Sequence, residues 1–155
     1  MHALTWRLLS IIVGVPILAA VGFSVGLGMS VAEAAEPAII VSQVWTNAAA
    51  PGSDTVLFMT IKNAGASDAL LRSRCTAAQF SEQQTVDHGE GFPSSRSVKS
   101  IPIAANDITR LGADGDHVML LQTKQALVMG ETFSCSITFR DAGTQTIDVT
   151  VGRPQ

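Results

Sequence analysis

An all-β sandwich is the fold predicted for this 155-residue chain, and three observations predict it. From residue 39 onward apolar side chains recur with a period of two more often than 3.6, the mark of strands with one buried face. The runs are short, rich in Val, Ile, Thr and Phe, and broken by Gly, Asn, Asp and Pro. They close with a hairpin at 132–140 and 144–151, and strands at this spacing suggest two packed sheets of cupredoxin-like or immunoglobulin-like type.

The first segment, residues 1–34, is expected to be an export signal. Arg7 supplies its positive charge, an apolar stretch runs from Leu8 to about Met29, and Ala32-Glu33-Ala34 places cleavage after Ala34. Residues 8–32 are uncharged and also long enough for an uncleaved membrane anchor, which takes roughly 20 residues. Both readings put the folded part outside the cytoplasm, in the periplasm or beyond.

Residues 36–155 form the sandwich domain, of a size for one core. Its expected strands are 39–46, 55–62, 69–75, 80–86, 96–101, 107–111, 117–121, 132–140 and 144–151. Strand 55–62 sets Leu57, Met59 and Ile61 on one face and Phe58 on the other. Asn63-Ala64-Gly65, the stretch 112–116, Met129-Gly130-Glu131 and Asp141-Ala142-Gly143 are turns, because Gly, Asn and Asp tolerate positive φ. The longest polar break is 88–95, and loops of that kind commonly carry function on a rigid scaffold.

The formal charge is -3 and survives cleavage, which removes one charge of each sign (Arg7 and Glu33). With no run of Lys and Arg, nothing calls for nucleic acid or an anionic membrane surface, and the membrane enters only through an uncleaved anchor. Cys75 and Cys135 are an even pair in an oxidising space, which argues for one disulfide. Two buried free thiols are the alternative. The spacing is not Cys-x-x-Cys, so neither a redox nor a zinc motif is present.

His117-Val118-Met119 is the pair that carries chemistry. Two residues apart on a strand, an imidazole and a thioether point the same way, and both suit monovalent copper. His88 and Met59 are further candidate ligands, His88 from the polar loop and Met59 from its strand, where core packing is its competing role. No nucleophile and base pair stands out, and both cysteines are committed elsewhere, so neither an enzyme nor a blue-copper carrier is expected.

Several stretches together resemble the periplasmic copper chaperone family PCu(A)C. They are Val44-Trp45, the run from Phe58 to Asn63 followed by Ala64-Gly65-Ala66, residues 101–111, the run from His117 to Leu121, Gly130-Glu131-Thr132 and the run from Thr138 to Gly143. The family's metal motif is a His, then ten residues, a Met, then twenty-one residues and His-x-Met. Anchored on His117 and Met119, it puts Gln84 and Ser95 at its two upstream ligand positions. The resemblance implies a copper(I) cofactor or cargo and a periplasmic partner that receives or donates copper, such as an oxidase assembly factor. The Gln84 and Ser95 departures leave three arrangements: weak two-ligand binding for handoff, a homodimer pooling two half-sites, and a metal-free relative serving as an interaction module.

Overall fold

The computed structural model describes residues 38–89 and 91–153, so the expected signal or anchor at 1–34 lies outside the described residues. Ten strands follow in order: β1 (Ile39–Thr46), β2 (Thr55–Asn63), β3 (Asp68–Cys75), β4 (Ala78–Asp87), β5 (Ser94–Ser97), β6 (Ile101–Ile103), β7 (Asp107–Leu111), β8 (His117–Thr123), β9 (Thr132–Phe139) and β10 (Thr144–Val151). The order across the sheet is β5-β4-β8-β2-β1-β10-β9-β3-β6, with β7 also on β2.

This sheet folds over on itself at β1. Along most of its length β1 runs antiparallel to β2, and at its end Trp45 and Thr46 pair in parallel with Thr150 and Val151 of β10. The strand changes direction through a bulge between Ser42 and Trp45, where Gln43 takes a φ of 50°. Two packed layers result, as the alternation predicts. Leu57, Met59 and Ile61 of β2 with Val118 and Leu120 of β8 share one buried cluster with Leu70, Ile101, Ile103, Ile137, Phe139 and Val149. Burial along β2 alternates residue by residue, which fixes its register, since a one-residue slip would turn this whole set to solvent.

Side chains lock two of the turns. Buried Asn63 donates from Nδ2 to the carbonyls of Ala66 (2.7 Å) and Ala104 (3.0 Å), and its Oδ1 accepts from Gly65 N–H (2.9 Å). Asp68 accepts from the N–H groups of Ala69, Asp141 and Ala142, joining the start of β3 to the β9–β10 turn.

One expected strand is corrected. Residues 96–101 are not a single strand: β5 lies on β4, whereas β6 lies on β3 at the opposite end of the sheet order. The chain crosses between them at 98–100, where Val98 N–H donates to the Gln83 carbonyl. Pro102 sits in β6, an edge strand, where a missing N–H leaves no ladder bond unmade. The polar break also ends sooner than expected, because Ser94 and Ser95 already belong to β5.

Cys75 and Cys135 form a disulfide across the paired strands β3 and β9, so the free-thiol alternative does not hold.

Candidate metal centre

β8 separates its two faces cleanly. Val118 and Leu120 are fully buried in the core, while Met119 and Leu121 are half-buried on the other face, which His117 shares by the two-residue period. His117, at the strand start, is only 2 % exposed. The turn before it accounts for this. Gly112 N–H donates to Asp116 O (3.0 Å), Gly115 N–H to Gly112 O (3.2 Å), and the His117 ring bonds back to Gly115 O through Nδ1 (2.8 Å). A carbonyl can only accept, so Nδ1 carries a proton, and in the neutral imidazole this tautomer leaves the lone pair on Nε2. Among the described residues Nε2 has no hydrogen-bond partner. Fixing the tautomer through the far nitrogen is how metal-binding imidazoles are commonly oriented.

The neighbouring strand completes the face. In β4, Gln84 lies directly opposite His117 and Glu82 opposite Met119, so all four side chains leave the same side of the sheet. On the next strand Ser97 pairs with Gln84 and Ser95 with Val86, which puts Ser95 on that side as well. These polar groups engage one another. Ser97 Oγ donates to one Glu82 oxygen, and Gln84 Nε2 donates to the other at 2.9 Å. The Ser97 bond, then the Gln84 bond, holds the Glu82 carboxyl below the usual carboxylate range, so a settled negative charge faces Met119.

Aromatic rings wall the opposite flank. Val56 of β2 pairs with Met119, and Phe58 follows on the same face, stacked on Trp45 with ring centroids 4.0 Å apart and planes 7° from parallel. The turn lies against Phe58 at Gly112, where a Cβ would make an ordinary van der Waals contact of 3.4 Å with Phe58 Cδ1.

Of the other two candidates, Met59 lies apart from the pair and His88 bonds to the turn before it. Met59 is 2 % exposed in the core, on the opposite face of the sheet from Met119. His88 is exposed, and its Nε2–H donates to the Asp114 carbonyl (3.2 Å), which engages that nitrogen with the turn preceding β8. Among the described residues no three His, Cys, Asp or Glu side chains gather as a metal cluster. What the face offers is one borderline nitrogen donor and one soft sulfur donor beside one carboxylate. That set fits a monovalent soft cation at low coordination better than a divalent ion seeking several oxygen ligands. Glu82 and Ser97 escaped sequence reasoning. Their only trace is that Glu82-x-Gln84 has the same spacing as His117-x-Met119, and strand pairing is not written in spacing.

Comparison with known proteins follows the same line. The family model described as "Putative lipoprotein LpqE-like" matches residues 39–151. The "Putative lipoprotein Lxx21020" of Leifsonia xyli subsp. xyli is 30 % identical over 115 residues, covering 72 % of this chain and 68 % of that protein. Among solved structures, the copper(I) form of DR1885 from Deinococcus radiodurans superposes with a TM-score of 0.60 at 30 % identity, over 77 % of this chain and 83 % of that one. The apo PCuAC domain of PmoF1 shares the fold with a TM-score of 0.63 at 20 % identity, over 76 % of this chain and 95 % of that one.

Proposed function

The chain belongs to the "Putative lipoprotein LpqE-like" family and has the PCuAC fold, and from that premise we propose that it is an exported copper(I) carrier that holds the ion through His117 Nε2 and Met119 Sδ. One observation carries the reading: both donors leave the same face of β8, and the Gly115 carbonyl holds the imidazole through Nδ1, leaving Nε2 as the nitrogen available to a metal. Similarity to a copper(I)-loaded structure at 30 % identity supports it.

The arrangement suits transfer better than storage. Met119 is the more accessible donor and His117 the buried one, so the ion enters and leaves by way of the thioether. Glu82 supplies a negative field at the mouth without contributing a soft ligand. Two protein donors leave coordination positions open to a recipient's ligands, the requirement for handoff to a copper-receiving partner outside the cytoplasm. Both cysteines of the sequence are in the disulfide, so neither is free to carry a lipid.

A second reading has its own observation. Gln84 and Ser97 spend their hydrogen bonds on Glu82, a closed network where the copper-binding motif would place a ligand. On this reading the sandwich has given up metal and is kept as a protein-interaction module. A competition titration with copper(I) against a chromogenic chelator under reducing conditions separates the two. The carrier reading expects binding by the native chain and its loss in the His117→Ala/Met119→Ala double variant. Equal behaviour of the two proteins overturns it, and a stoichiometry of one ion per two chains assigns the half-sites to a dimer.

A further inference from the structure

At the turn Thr76-Ala77 the chain leaves one layer of the sandwich for the other, and β3 and β4 diverge from it without pairing to each other. Both are left with bare edges. β6 covers β3 only over Asp68–Leu70, so among the described residues the side away from β9 is unpaired from residue 71 to 75. β5 covers β4 only from Gln84 onward, leaving residues 78–82 unpaired on the side away from β8. Between these edges runs a groove of about 620 Å³, a volume within the roughly 300–1,000 Å³ of small-molecule sites.

The groove has a definite chemistry. Arg72, Arg74 and Lys124 line it, all exposed, and among the described residues none is in an ion pair. No linear run of the sequence announces this cluster; the fold gathers it in a chain whose net charge is negative. Ser73, 2 % exposed between the two arginines, also lines the groove, and its buried Oγ has no hydrogen-bond partner among the described residues. A buried hydroxyl left unpaired is uncommon and points to a missing polar group. Phe80, 62 % exposed, supplies one apolar wall.

We propose that this groove takes an extended, acidic segment of a partner protein, which adds as a strand along the bare edge of β3. Strand addition uses main-chain hydrogen bonds for affinity and alternate side chains for specificity. Arg72 and Arg74 are two residues apart and so lie on one face of β3, which sets the partner's pattern: acidic side chains at alternate positions, with small or apolar residues between them. Lys124 faces a further carboxylate across the groove. The carboxylates answer the cations, and the added backbone answers the open edge.

The test uses the full chain in mild detergent and a fluorescein-labelled peptide of alternating glutamate and valine, with a lysine and valine peptide as control. The glutamate peptide is expected to bind saturably and more weakly with added salt, and the lysine peptide not at all. Arg72→Glu/Arg74→Glu is expected to weaken binding by about tenfold or more while leaving copper(I) binding unchanged. Lys124→Glu, on a separate segment, serves the same purpose if the double variant does not fold. N-methylating alternate peptide amides, so that one edge cannot donate, is expected to cost a similar factor. Undiminished binding by the N-methylated peptide would reveal simple ion exchange and overturn strand addition. So would absence of saturable binding, or full competition by inorganic phosphate alone.

Discussion

At the scale of single residues, Asp68 shows how much one buried carboxylate can organise. It is 6 % exposed and accepts from Ala69 N–H (2.7 Å), Asp141 N–H (3.0 Å) and Ala142 N–H (2.9 Å). Burial pushes its pKa up, but the N–H groups of Ala142, Ala69 and Asp141, with the Arg140 guanidinium, outweigh it and hold the value below normal. A carboxyl with a depressed folded pKa stabilises the fold above its unfolded pKa and loses that contribution as pH falls through the folded value. Asp68→Asn keeps the shape but turns an amide donor toward one of these N–H groups, and it is expected to cost about 2 kcal/mol at neutral pH. Urea midpoints of the two proteins should then converge as pH falls below the carboxylate range. A gap that persists in acid would mean the charge is not what Asp68 contributes.

At the scale of strands, most elements were legible in the sequence and their neighbours were not. Runs such as 39–46, 107–111 and 144–151 carry their period and their bounding turns locally, and the structure returns them unchanged. The split of 96–101 was hidden because Val98 packs against the same core that holds Ile101 and Ile103, so the apolar spacing passes over a change of partner without a glycine to mark it. The candidate centre is likewise non-local. The pair on β8 is visible in the sequence, whereas Glu82 and Ser97 reach that face only through the pairing of β4 with β8 and β5. That pairing also sets up a gain-of-function experiment. Gln84 stands directly across from His117, and Ser95 lies on the same side of the sheet. On the carrier reading, Gln84→His/Ser95→Met is expected to tighten copper(I) binding by about tenfold or more, by adding an imidazole and a thioether. The chelator competition reads this directly, and unchanged affinity would mean the four positions do not converge on one ion.

At the scale of the whole molecule, two layers share one core and a single covalent cross-link. The disulfide joins residues 60 apart in sequence, and on the chain-entropy account closing a loop of that length is worth about 4 kcal/mol. Cys75→Ala/Cys135→Ala is expected to lose about that much in a urea titration of the oxidised proteins. A loss below about 1 kcal/mol would mean the loop is already restricted in the unfolded chain.

The placement of that cross-link has a mechanical consequence. Every strand from β4 to β8, and with them Glu82, Gln84, Ser95, Ser97, His117 and Met119, lies in the loop between Cys75 and Cys135. When the oxidised molecule is pulled by its two ends, tension passes from β3 through the sulfurs to β9 and bypasses this loop. At roughly 3.5 Å per residue, about 200 Å of chain is withheld from extension. The strands that carry His117, Met119 and Glu82 are thus shielded from load for as long as the bridge stays oxidised.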